Sequence, residues 1–298
     1  MTRGTRMNGA RVLITGAGSG IGRLMALDAA ARGAAEILIW DLSAESGQRV
    51  RDELVAAGTQ ARSFAVNVGD SSQVTATAEE TGPIDVLINC AGIVTGKKLL
   101  DADEDAIRRV YDVNTLALYW TTRAFLPGML ERDRGSVVTI SSAAGLTGVA
   151  KQTDYSASKF AALGFTESLR NELRTDGSNV NTLVVCPFYI NTGMFEGVTT
   201  KFPRLLPILE ENNVATKVID SIESGREQLV MPSLVRLLPS MRMLPTQAFD
   251  RVLDFLGVNK TMDHFTGRRP AAAESNTASP AQELNSADPS AAPAPARR

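Results

Sequence analysis

Apolar residues recur along this 298-residue chain in two alternating patterns. Short β-branched runs give way to longer stretches with apolar positions three and four apart, the periods of strand and helix. Strand-like runs occupy residues 11–15, 36–40, 60–66, 84–88, 135–140, 179–185 and 227–231, with helix-like stretches between them. That order predicts an α/β fold with a doubly wound parallel sheet in a single domain. The longest predicted helices cover residues 106–130 and 154–174, and residues 73–81 leave room for only a short one. Residues 188–212 form a long apolar connection of the kind that serves as a lid. Residues 232–258 predict apolar short helices broken at Pro239 and Pro245. From Pro270 onward Ala, Ser and Pro dominate, and too few large apolar side chains remain to offset the entropy of ordering. The expected organisation is therefore a domain over residues 1–269 and a disordered tail over 270–298.

The first strand runs into Gly16-Ala-Gly-Ser-Gly-Ile-Gly22 and then a helix, the context in which glycines bind a dinucleotide. Gly16 permits a tight turn, Gly20 lets backbone approach a pyrophosphate, and Gly22 lets helix and strand pack closely. The second strand ends at Asp41, about twenty residues past the loop, where a Rossmann sheet carries its ribose-binding acid. A carboxylate there accepts hydrogen bonds from a ribose and repels a 2′-phosphate, which favours NAD over NADP. The competing role for Asp41 is to cap the helix beginning near Ser43.

Tyr155 and Lys159 stand one helical turn apart on one face. Oxidising an alcohol needs a base for the hydroxyl proton while hydride leaves the carbon, and Tyr155 fits if its pKa falls towards neutrality. An ammonium close to the phenolate contributes up to roughly 4 kcal/mol at an effective dielectric of about 20. Composition leaves this reading in place. With 44% apolar and 21% charged residues and a net charge of −2, the chain can bury a large core and has no general attraction for nucleic acid. Cys90 and Cys186 are the only cysteines; they lie in apolar segments, so no disulfide framework is expected. The lone His264 has no partners for a metal, and no metal site is expected. Residues 1–7 carry charge without an apolar run, so neither a signal peptide nor an anchor is expected there, and a cytoplasmic location follows.

The glycine loop, Asn89-Cys-Ala-Gly92, Asn114, Ser142 and the Tyr155 and Lys159 pair occur in the order found in the short-chain dehydrogenase/reductase family, which the chain resembles from residue 10 to about 267. The resemblance makes Asn114, Ser142, Tyr155 and Lys159 catalytic, with Ser142 bonding the substrate oxygen and Asn114 holding a water that relays protons from Lys159. It implies a cofactor set of Gly16, Ser19, Gly20, Ile21, Gly22, Asp41, Asn67, Val68, Asn89, Ala91, Gly92, Tyr155, Lys159, Pro187 and Thr192. Thr192 would meet the nicotinamide carboxamide. Ser142, Tyr155, Phe188, Met194 and Phe195 form the implied substrate set. Asn67 replaces the family's usual Asp near the adenine, and Cys186-Pro187-Phe188 replaces its usual Pro-Gly. Residues 93–101, 186–197 and 205–210 further resemble the retinol and hydroxysteroid dehydrogenase branch, which acts on lipophilic alcohols.

The expectation is an NAD-dependent oxidoreductase with a small lipophilic substrate, a homodimer or homotetramer, with peripheral membrane contact through its apolar C-terminal region. Two alternatives are an NADPH-dependent carbonyl or 3-oxoacyl reductase and a nucleotide-sensing binding protein. Asp41 argues against the first, and the full set of four catalytic residues against the second.

Overall fold

Strands β1 (Arg11–Thr15), β2 (Glu36–Asp41), β3 (Gln60–Ala65), β4 (Val86–Asn89), β5 (Ser136–Ile140), β6 (Asn181–Pro187) and β7 (Gln228–Met231) are short, and all but the edge strand β3 are rich in Val, Ile and Leu. In the computed structural model, which describes residues 4–267, they pair in parallel in the order β3-β2-β1-β4-β5-β6-β7. The chain winds outward from β1 to β3, crosses back to β4 and winds outward again to β7. The reversal opens a crevice beyond the carboxyl ends of β1 and β4, the switch point where such sheets take ligands.

Strand alternation divides the core between the two faces of the sheet. Val12, Ile14, Ile37, Ile39 and Ile88 pack with Met25 and Ala29 of α1 (Gly20–Ala31) and with Val214 and Val218 of α7 (Glu211–Glu223). Leu13, Leu38, Trp40, Leu87 and Val137 turn the other way. They meet Phe125 and Met129 of α5 (Ala117–Glu131) and Leu169 and Leu173 of α6 (Thr153–Thr175).

Three other helices begin at side-chain caps. Ser43 caps α2 (Ala44–Ala56), Asp70 caps α3 (Ser71–Thr81) and Asp103 caps α4 (Glu104–Tyr111), each accepting from a first-turn backbone N–H. Ser43, rather than Asp41, is therefore the cap of α2. Helix α3 has 11 residues, longer than the apolar pattern suggested, because Asp70 starts it two residues earlier. The expected helix over 106–130 divides into α4 and α5, joined by a π-helical turn at Asp112–Leu116 that carries Asn114. Apolar periodicity does not reveal such a turn, since it is set by i→i+5 backbone hydrogen bonds over only five residues.

Beyond β6 the chain loops out before α7. A parallel bridge between Ile190 and Leu209 closes the neck of this loop, with Asn191 N donating to Leu209 O at 3.0 Å and Leu209 N to Tyr189 O at 2.8 Å. Against the loop pack a 3-10 turn (Ser233–Leu237), α8 (Leu238–Met241) and α9 (Thr246–Leu256). Phe188, Leu206, Val235, Leu253 and Met262 form a third apolar cluster there. Pro239 lies in the first turn of α8 and Pro245 is the N-cap of α9. Each proline thus begins a helix, as its fixed φ and missing N–H favour. Among the described residues no helix is long and apolar enough to cross a membrane. The expected tail, residues 270–298, lies outside the described residues.

Candidate active site

The glycine loop turns at the carboxyl end of β1. Gly16 has φ +67° and Gly20 φ +54°, both in the left-handed region that side chains avoid. A Cβ on Gly22 would lie 2.4 Å from Gly16 O, so only glycine lets α1 start this close to β1. Ile21, in the first turn, packs on the core. Ser19 occupies the N-cap of α1 without making a side-chain capping bond, which leaves the first-turn N–H groups directed at the crevice. Asp41 lies across from them: Oδ2 accepts from Gly18 N at 2.8 Å and Oδ1 from Ser43 N at 2.9 Å. A carboxylate with two bonds made retains acceptor capacity for two hydroxyls.

Further along the crevice Val68 is buried, while Asn67 is exposed with Oδ1 accepting from Gly69 N at 3.1 Å. Thr15 Oγ1 accepts from both Cys90 N at 3.0 Å and Ala91 N at 3.1 Å, fixing the turn after β4 against β1. Asn89 accepts from Thr121 Oγ1 at 2.7 Å, and its amide nitrogen is buried with no bond. Thr192 sits opposite the loop; a Cβ on Gly20 would be 3.5 Å from that of Thr192. Pro187 ends β6, its carbonyl accepting from Ser142 Oγ at 3.4 Å. These residues fit a dinucleotide: glycine backbone and open helix N–H groups at the phosphates, and a carboxylate at the ribose.

Tyr155 and Lys159 both lie buried on the sheet-facing side of α6. Lys159 Nζ is 5.6 Å from the Tyr155 ring centroid and donates to Ile140 O at 2.8 Å. A Cβ on Gly92 would be 3.6 Å from Nζ, so the glycine clears the space beside the ammonium. Burial pushes Lys159 down to about 8, opposed by attraction to the Cys90 and Cys186 thiols. Burial likewise pushes Tyr155 above its ordinary value, opposed by its hydrogen bond to Ser142. This corrects the expectation that Lys159 brings the phenol down: desolvation of the buried phenolate outweighs the neighbouring ammonium. The nicotinamide cation, when bound, supplies the positive charge that favours the phenolate.

Asn114 is buried in the π turn, with Oδ1 accepting from Ile93 N at 2.9 Å and Nδ2 donating to Ile93 O at 2.9 Å and Ser158 Oγ at 3.0 Å. These bonds tie the loop after β4 to α6.

The side on which a substrate is expected is aromatic. Phe195 lies edge-on to Tyr155 with centroids 5.7 Å apart and edge-on to Tyr189 at 5.1 Å. Phe188 is buried in the third cluster, its ring 4.7 Å from that of Tyr189, and Met194 is half-buried. Several residues around this wall carry no sequence signal. Tyr189 OH accepts from Gln152 Nε2 at 3.2 Å and hydrogen-bonds with Thr261 Oγ1 at 2.8 Å. The buried Asp154 accepts from Thr95 Oγ1 at 2.7 Å and from Tyr155 N at 2.8 Å. Their partners are up to 72 residues distant, which no local pattern can connect.

A glycine-lined crevice leading to a buried tyrosine and lysine beside a half-buried serine defines a nicotinamide-dependent oxidoreductase. Residues 10–202 match the short chain dehydrogenase family, and the chain belongs to it. It is 41% identical over 265 residues to human epidermal retinol dehydrogenase 2, covering 87% of this chain and 85% of that protein. It is 35% identical over 292 residues to zebrafish (Danio rerio) retinol dehydrogenase 10-B, covering 89% and 87%. Among solved structures, a short chain dehydrogenase/reductase from Burkholderia phymatum in complex with NAD matches with a TM-score of 0.73 at 26% identity, over 80% of this chain and 95% of that one. A metagenomic short-chain oxidoreductase in complex with NADP matches with a TM-score of 0.64 at 28% identity, over 76% and 97%.

Proposed function

We propose that this oxidoreductase interconverts lipophilic alcohols and their carbonyl forms with NAD, Tyr155 exchanging the hydroxyl proton and Ser142 holding the reacting oxygen. The observation that carries the reading is the ring of Phe195 against Tyr155, backed by Tyr189 and Phe188, which puts the reactive oxygen at the end of an apolar wall. The likeness to the human and zebrafish retinol dehydrogenases supports the same class. NAD is supported by Asp41, whose charge and remaining acceptor capacity suit ribose hydroxyls and oppose a 2′-phosphate. Leu205, Leu237, Met243 and Phe255 are exposed on the lobe formed by the β6–α7 loop and α8–α9, with Lys201, Arg204 and Arg251 nearby in sequence. This supports a lipid surface as the source of substrate.

The test is a series of alcohols from glycerol through straight-chain and isoprenoid to steroidal ones, with NAD reduction followed with and without anionic vesicles. Each buried methylene is worth about fourfold, so kcat/KM should rise by orders of magnitude along the series and respond to the vesicles. Tyr155→Phe should silence every substrate while leaving NAD affinity within about a few-fold, since the ring stays and the proton acceptor goes. A preference for glycerol would overturn the substrate class.

A further inference from the structure

We infer that the C-terminal strap, residues 258–267, forms part of the substrate site, and that Phe265 sets how bulky a substrate it accepts; this rests on the lipophilic reading above. The strap lies beyond the stretch matching the family, which ends at residue 202. Its fastenings are to the walls around Tyr155. On the β6–α7 loop, Thr261 Oγ1 bonds Tyr189 OH at 2.8 Å, Thr199 N donates to Thr261 O at 3.3 Å, and Thr266 N donates to Glu196 O at 2.9 Å. On the approach to α6, Lys151 Nζ pairs with Asp263 at 2.7 Å.

Phe265 is the apolar side chain these ties hold in place. On one side its ring occupies the room left by Gly96: a Cβ there would fall 2.0 Å from the ring, and Gly96 has φ +68°. On the other side it is 6.4 Å from Phe195, the ring edge-on to Tyr155. It therefore bridges the loop after β4 and the loop after β6, the two segments between which a substrate must lie to reach Tyr155. Phe265 is only half-buried, so part of its surface stays accessible. A ring with no polar group, seated there by polar ties to its neighbours, acts on a substrate by shape alone.

The experiment compares wild type, Phe265→Ala and Phe265→Leu on a fused-ring alcohol and a medium-length straight-chain alcohol, with NAD affinity measured alongside. Removing the ring frees the volume of several methylenes, so the kcat/KM ratio of fused-ring to straight-chain substrate should rise by about tenfold in Phe265→Ala and less in Phe265→Leu. NAD affinity should stay constant. Both substrates changing by the same factor, or neither changing, would overturn the assignment. Should Phe265→Ala fail to fold, the Leu variant decides. Wild-type preference over glycerol tests the substrate class, whereas the ratio between variants tests the strap, so the two can fail separately.

Discussion

Asp41 shows how one side chain can serve both fold and specificity. Its carboxylate holds Gly18 N and Ser43 N, joining the glycine loop to the start of α2, and the same charge is the one proposed to meet the ribose. Asp41→Ala should therefore narrow an NAD preference of at least about tenfold in kcat/KM, and also lower NAD affinity because the loop loses its anchor. Steady-state kinetics with both cofactors check this; wild-type activity equal or greater with NADP would refute the assignment. Asp41, Tyr155, Lys159 and the glycines could all be found in the sequence because each is tied to a local spacing. Gln152, Thr95 and Thr261 could not, since a hydroxyl or amide acquires its role only from a partner brought in by folding.

At the scale of elements, the closeness of α1 to β1 is what would present helix N–H groups to the phosphates of a dinucleotide. Gly22→Ala places a methyl 2.4 Å from Gly16 O and should push the helix away. The expected loss is about 1–3 kcal/mol of stability, with weaker NAD binding. Gly164 in α6 has open space around its missing Cβ. Gly164→Ala should instead stabilise by about 0.5–1 kcal/mol through helix propensity. Thermal unfolding of both variants and NAD titration of the first decide; equal effects at the two sites would show that crowding at Gly22 is not what matters. The apolar pattern located all seven strands and the catalytic helix within a few residues. It missed the π turn at Asn114 and misjudged the start of α3, because a cap or a change of register is set by hydrogen bonds rather than by hydrophobicity.

For the whole molecule, the buried ionisable groups around the site should shape stability against pH. Lys159 is lowered from 10.5 to about 8, so between those values the unfolded chain binds a proton that the folded one does not, and stability rises with pH. Cys90 and Cys186 are raised from 9.0 to about 12, so above about pH 9 the folded chain retains protons the unfolded one has lost, and stability falls. Tm should therefore climb between about pH 8 and 9 and decline beyond, with Tyr155 adding to the decline above its ordinary value. Lys159→Met should be inactive, lose the climb, and melt at or above the wild-type temperature near pH 7, because it removes a buried ammonium. A melting series across pH checks each part; a wild-type Tm that falls steadily from about pH 8 would contradict it.

The sheet, the crevice and the chemistry it serves are legible in the chain, because alternation, glycine spacing and the turn from Tyr155 to Lys159 are properties of neighbouring residues. The electrostatics and the aromatic wall arise from packing. Whether Lys159 or desolvation governs the Tyr155 phenol depends on what each group faces after packing, and Nζ proved to face Ile140 O. Phe265 and Phe195, 70 residues apart, meet only because Thr261, Thr266 and Asp263 fasten the strap across the loops. Contacts of that range carry no period in the chain, and they exist only once the domain has closed.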